Sequence, residues 1–174
     1  MTTYVALLRA INLGKTRKVP MAQLREFAAE LGFANVRTFL QSGNLVFESD
    51  SGAGDIVHGL EAALLERLGF AVPVILRTGA EMQAVARAHP FGSDEDDPVK
   101  LHVVFYAEAP PCEAVEDVLA RDVAPDCVAV QGREAFVHYA RGLQGSRVKL
   151  DALGRGTDRN WRTVQALAAM VGHA

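Results

Sequence analysis

The chain has 174 residues, 49% of them hydrophobic and 22% charged, an ordinary globular composition that argues against disorder over the bulk of its length. That length suits one domain or two small packed halves. A formal net charge of -3 removes the bulk electrostatic argument for a general nucleic-acid binder, although a local basic patch stays open. No apolar run approaches the roughly 20 residues that span a bilayer, so no membrane partner is expected. Met1-Thr2-Thr3 leads into a strand pattern rather than a basic-then-apolar leader, and cytoplasmic residence is the expectation. Cys112 and Cys127 form no C-x-x-C pair and have no histidine at metal-ligand spacing; they read as two small core residues in a reducing compartment.

Tyr4 to Ala10 is an apolar run that reads as a buried strand. After a loop containing Gly14, Pro20 opens a helix in which Met21, Leu24, Phe27 or Ala28, and Leu31 recur at helical spacing, with Gly32 as the stop. Val36 to Gln41 and Asn44 to Ser49 flank Ser42-Gly43, the pattern of a two-residue hairpin. Ile56, Leu60, Ala63 or Leu64, and Leu68 continue as a helix to Gly69, and Val72 to Arg77 is a strand whose Pro73 favours a sheet edge. The order β-α-β-β-α-β is that of a ferredoxin-like, or α/β-plait, unit over residues 1–78.

Residues 79–98 read as a connection. Thr78 and Glu81 form a capping box for a helix running to about Ala88. The acidic run Asp94 to Asp97 reads as a solvated loop, since a metal cage needs ligands that converge from several directions. Residues 99–174 repeat the grammar. A strand spans Lys100 to Tyr106, and a helix from Pro110 or Pro111 reaches about Ala120. Cys127 to Gln131 and Glu134 to Tyr139 flank the hairpin turn Gly132-Arg133. A short helix or irregular stretch covers Leu143 to Leu153, and a final helix is capped by Thr157 or Asp158. The expected fold class is therefore α+β, two packed α/β-plait subdomains, βαββαβ then βαββα.

Up-down-up threading of the first unit brings the loop after strand one and the hairpin after strand two to one end of the sheet. Asn12, Lys15, Arg17 and Lys18 then approach Gln41, Ser42 and Asn44. Cations, amides and a hydroxyl together suit a small anionic or polar ligand. The competing reading is that Gly43 serves only the turn, with Gln41 and Asn44 bonded to its backbone. Gly14-Lys15-Thr16 is no P-loop: Arg9 stands where that motif needs its first glycine, and the helix starts too late. An RNA-recognition motif is disfavoured because Asn44 and Val46 occupy the positions of its stacking rings. The start of the last helix, with Arg159, Asn160 and Thr163, is a second anion-binding candidate. No catalytic constellation, metal site or cofactor fingerprint emerges; His102 and His138 lie on strands and face each other or solvent.

Tyr4 to Asn12, Lys18-Val19-Pro20-Met21, Gln41-Ser42-Gly43-Asn44 and Thr157 to Val164 together resemble the DUF1697 family over nearly the whole chain. The resemblance implies a bacterial cytosolic protein of two α/β-plait subdomains and carries over no catalytic residue. Ala10 replaces the glycine usual before Ile-Asn, and Thr16-Arg17 occupies a stretch often rich in glycine or asparagine. The functional expectation is a binding protein for a small anionic or polar ligand, a nucleotide or nucleic-acid end included. Its site residues would be Arg9, Asn12, Lys15, Lys18, Gln41, Ser42 and Asn44, with Arg159 and Asn160 completing it. Alternatives are a hydrolase or transferase acting on a phosphorylated or nucleotide substrate, and a protein-interaction domain using the acidic loop or a sheet edge.

Overall fold

The structure, a computed structural model, describes residues 1–14, 16–91 and 97–172. Lys15 and the acidic residues Asp94, Glu95 and Asp96 lie outside the described residues. The described residues form two four-stranded antiparallel sheets and five α-helices, an α+β protein. They divide into two compact units, Met1–Ala84 with Leu167–Ala174, and Val85–Ala166.

The first unit contains β1 (Thr2–Leu8), α1 (Met21–Glu30), β2 (Ala34–Phe39), β3 (Asn44–Ser49), α2 (Ala53–Leu68) and β4 (Val74–Thr78), followed by the start of α3 (Gly79–Arg87). Its sheet order is β2-β3-β1-β4. This puts the apolar β1 in the interior and leaves β4, with Pro73 just before it, on an edge, as its proline requires. On one face Tyr4, Ala6, Leu8, Leu45 and Phe47 meet Leu24, Phe27 and Ala28 of α1 and Ile56, Leu60 and Leu64 of α2. The helical residues recur every three or four positions, so each helix presents one apolar stripe to the sheet. Burying each large side chain contributes about 1.5–3 kcal/mol. Val5, Leu7, Val46, Ile75 and Arg77, on the opposite face, are buried too. No open face of this sheet is left for base stacking.

The turn between β2 and β3 differs from the expected two-residue form. Phe39 pairs with Asn44, so four residues, Leu40 to Gly43, make the connection. Leu40 (φ 56°) and Gly43 (φ 79°) both take left-handed conformations there. The C-terminal residues join the first unit through Arg37, whose guanidinium donates to the Met170 carbonyl at 3.0 Å.

The second unit contains β5 (Leu101–Phe105), α4 (Cys112–Leu119), β6 (Cys127–Gln131), β7 (Glu134–His138), a 3-10 turn (Asp151–Leu153) and β8 (Thr157–Asn160), followed by most of α5 (Trp161–Val171). Its order is β6-β7-β5-β8. Gly132-Arg133 makes the expected two-residue hairpin, with Gln131 opposite Glu134 and Gly132 at φ 58°.

Three expectations for this half need correction. A fourth strand, β8, exists where the sequence reads as a helix cap. Thr157 and Arg159 point inward and Asp158 outward, but an arginine at an inward position disguises the period of two. The cap of α5 is accordingly Asn160, whose Oδ1 accepts from the Thr163 N–H and hydroxyl, both at 2.9 Å. The two cysteines are exposed rather than in the core, because Cys112 opens α4 and Cys127 lies on the edge strand β6.

The capping box ahead of α3 is formed as expected. The Thr78 N–H donates to the Glu81 carboxylate at 2.7 Å, and the Glu81 N–H donates to the Thr78 hydroxyl at 3.2 Å. Thr78→Ala should lower stability by about 1 kcal/mol in urea denaturation. An unchanged midpoint would show that the box contributes nothing.

Candidate functional site

Because β1 and β2 both run antiparallel to β3, the end of β1 lies beside the start of β3, with Leu7 opposite Asn44. The Leu8 N–H donates to the Gly43 carbonyl at 2.8 Å, extending the pairing into the turn. A Cβ on Gly43 would stand 2.6 Å from Ile11 Cδ1 and 2.8 Å from Leu8 Cβ, so only glycine permits this approach. The two polar segments do share one rim. A third segment joins them, since the Arg9 N–H donates to the Pro73 carbonyl at 2.9 Å.

Asn12 closes the rim. Its Nδ2 donates to the Val19 carbonyl at 3.0 Å and to the Gln41 carbonyl at 2.7 Å, and its Oδ1 accepts from the Val19 N–H at 2.8 Å. The Asn12 N–H donates to the Arg17 carbonyl at 3.0 Å. One carboxamide thus closes the loop after β1 on itself and ties it to the β2–β3 turn. Asn44, fully buried, donates to the Phe39 carbonyl at 2.7 Å and to the Ser42 hydroxyl at 2.9 Å, which sets the shape of that turn. Asn12 and Asn44 therefore build the rim with their amides. Lys18, Gln41 and Ser42 are exposed on it, and Arg9 is half-buried.

Sequence reasoning brings Arg17 to this rim but gives it no ligand-binding role. Its guanidinium donates to the Ala71 carbonyl at 2.5 Å and lies 4.9 Å over the Phe70 ring. Ala71, Val72 and Pro73, together with His58 and Leu65 of α2, line a groove of about 400 Å³. Arg17 thereby links the rim to the groove wall. Leu13 and Leu40 are large apolar side chains left exposed on the same rim.

In the second unit, Arg159 and Asn160 have structural tasks. Arg159 is buried, with Nη1 donating to the Thr157 hydroxyl at 2.8 Å and the Asp158 carbonyl at 2.6 Å. Burial lowers its pKa to about 10, against the opposing pull of Asp158. It stands in β8 rather than in the first turn of α5. Arg77 of the first unit, missed by sequence reasoning, occupies the equivalent place: Val5 pairs with Arg77 as Val103 pairs with Arg159. Both are visible in hindsight as period-two inward positions on a fourth strand.

His102 pairs with Val137, and His138 with Leu101, so the two histidines point to opposite faces and do not meet. His102 Nδ1 is 2.8 Å from Asp158 Oδ1, and Nε2 is 3.0 Å from the Val99 carbonyl. Only the doubly protonated ring donates to both acceptors. Burial works against that charge and is the largest single influence. The Asp158 hydrogen bond and charge, with the Val99 carbonyl, outweigh it together and raise the pKa above 6.5. With Nε2 on a carbonyl, the ring has no nitrogen open to act as a base.

A family model described as a protein of unknown function (DUF1697) matches residues 1–136. The chain belongs to the DUF1697 family. It is similar in structure to the conserved bacterial protein SP0830 from Streptococcus pneumoniae, at 23% identity and a TM-score of 0.81 over 98% of each chain. At that identity the likeness shows the fold alone. No curated protein matches the chain.

As a DUF1697 chain with alanine before Ile11-Asn12, this protein holds Ala10 at φ 54°, a left-handed conformation that costs a residue with a Cβ about 1–2 kcal/mol. Ala10→Gly should raise stability by about 0.5–1 kcal/mol. Gly43→Ala should lower it by about 2–4 kcal/mol, adding left-handed strain to overpacking against Leu8 and Ile11. Urea midpoints that rank the two variants in the opposite order would contradict the rim geometry.

The raised pKa of His102 fixes the sign of a pH effect. Its stabilising contribution is complete below the unfolded value of about 6.5 and is lost as pH rises through the higher folded value. Melting temperature should fall across that window in the native protein and fall less in Asp158→Asn. Equal slopes in both proteins would remove the assignment.

Proposed function

We propose that the protein binds a small anionic or polar ligand, of nucleotide or nucleic-acid-end type, at the rim formed by the loop after β1 and the β2–β3 turn. The observation that carries this reading is backbone strain. Among the described residues, five non-glycine positions are left-handed, and four of them, Ala10, Asn12, Arg17 and Leu40, are on this rim. Strain of this kind persists only where surrounding bonds over-determine it, and it concentrates at binding sites. Asn12 provides those bonds here. Turn formation alone needs fewer such residues: the Gly132-Arg133 hairpin manages with one glycine.

Within this reading, Arg9, Lys18 and Arg17 supply positive charge, Gln41 and Ser42 orient the ligand, and Asn12 and Asn44 hold the frame. The groove past Arg17 takes an apolar or planar body attached to the anion. Lys15 keeps its proposed role as a further cation, and Arg159 and Asn160 are proposed as supports of the second unit's sheet and helix. We read each unit as a ferredoxin-like plait. The order β4-β1-β3-β2 supports this, as does β8-β5-β7-β6, whose second crossover helix is replaced by a loop with a 3-10 turn. Bacterial origin and cytoplasmic residence belong to the same proposal. They are supported by the family, by the bacterial source of SP0830, and by the lack, among the described residues, of a helix long and apolar enough to cross a membrane.

Calorimetry with inorganic phosphate, adenosine and adenosine monophosphate tests the proposal. The monophosphate should bind more tightly than either of its parts. Lys18→Ala should weaken it about tenfold, or ~1.4 kcal/mol, without changing the melting temperature of the free protein. Binding untouched by Lys18→Ala and Arg17→Ala, or none at millimolar concentrations, would sink it.

A further inference from the structure

The two sheets have four outer strands, and three of them carry protection against pairing with another chain. In β2 the ladder is interrupted by a register shift between Ala34 and Arg37, where Asn35 is left-handed at φ 50°. β4 follows Pro73, and β8 is four residues long with Asp158 and Arg159 within it. The remaining outer strand, β6, has none of these devices. Cys127-Val128-Ala129-Val130-Gln131 has no charge and no proline, and its register against β7 is unbroken. Natural sheets rarely leave such an edge open unless something covers it.

The phase of the ladder says which backbone groups are available. A two-residue hairpin makes Gln131 and Glu134 a hydrogen-bonded pair, so Gln131, Ala129 and Cys127 bond to β7. The Tyr106 N–H donating to the Arg133 carbonyl at 2.9 Å confirms that phase on the far side of β7. The N–H and C=O groups of Val128 and Val130 therefore face outward. Among the described residues none of the turn and loop hydrogen bonds uses them.

We propose that β6 pairs with β6 of a second copy of this chain, antiparallel about a two-fold axis through Ala129, joining two four-stranded sheets into one of eight. The strand is its own complement in this register. Val128 of each copy stands opposite Val130 of the other, and both residues have outward backbone groups, so two hydrogen-bonded pairs give four bonds. Ala129 meets Ala129 in the intervening non-hydrogen-bonded pair, where side chains approach most closely and a small residue fits. Cys127 stands opposite Gln131, and no pair opposes like charges. Val128 and Val130 already pack beneath α4 with Val118, so the joined strands extend the apolar layers of both copies.

Sedimentation at about 100 µM should give twice the 18.7 kDa chain mass. Val130→Pro removes an outward N–H without breaking the β6–β7 ladder and should give a monomer with the native far-ultraviolet spectrum. If that variant fails to fold, Ala129→Lys, which opposes two lysines at the axis, should give the monomer instead. Gln131→Cys in a Cys112→Ser background should form an intermolecular disulfide with Cys127 when oxidised glutathione takes up the two hydrogens, and Cys112→Ser alone should not. A monomer at 100 µM, a dimer that survives the folded edge variant, or no disulfide from Gln131→Cys overturns the proposal.

Discussion

The structure of the rim depends on one close approach. β1 lies between β3 and β4, and its last residues meet the turn that leads into β3. At Gly43 the backbones come so near that a single methyl group would collide with Leu8 and Ile11. Everything polar at this end of the unit is arranged around that contact. The chain leaving β1 must bend at once, and it does so through left-handed residues at 10, 12 and 14. The Asn12 carboxamide then replaces the ladder hydrogen bonds that the bent chain can no longer make.

The same arrangement separates two kinds of polar residue that look alike in sequence. Asn12 and Asn44 are satisfied by backbone and neighbouring side-chain groups, which makes them parts of the frame. Lys18, Gln41 and Ser42 are exposed on that frame, the Ser42 hydroxyl accepting from Asn44. Framing residues hold others within bonding distance of a ligand, and their own replacement is felt first as lost stability. A frame of this sort is held by its own bonds, and such preorganisation lowers the ordering cost of association.

Most of the first unit was legible in the sequence because its signals are local and agree with one another. The apolar run of β1, the spacing of Leu24, Phe27 and Ala28, the turn-compatible Gly43 and the Thr78–Glu81 box all point the same way, and each matches the structure. The juxtaposition of Asn12 with Gln41 followed from strand direction alone. What escaped were features that depend on distant neighbours. Arg77 and Arg159 are buried on fourth strands, and in β8 the inward arginine masks the alternation that would reveal the strand. This is why β8 read as a helix cap. The turn after β2 looked like a two-residue hairpin because nothing in Leu40-Gln41-Ser42-Gly43 announces that Leu40 is left-handed. The exposure of the cysteines followed from edge position and helix start, neither of which residue type encodes.

Native-state amide hydrogen exchange measures the central claim directly. The N–H groups of Leu8, Asn12 and Val19 donate to the Gly43 carbonyl, the Arg17 carbonyl and Asn12 Oδ1, respectively. If the rim is a rigid frame, the Asn12 and Val19 amides, although in a loop, exchange as slowly as Leu8 at the end of β1. Exchange of Asn12 and Val19 at the rate of an unstructured loop, with Leu8 still protected, would contradict the account.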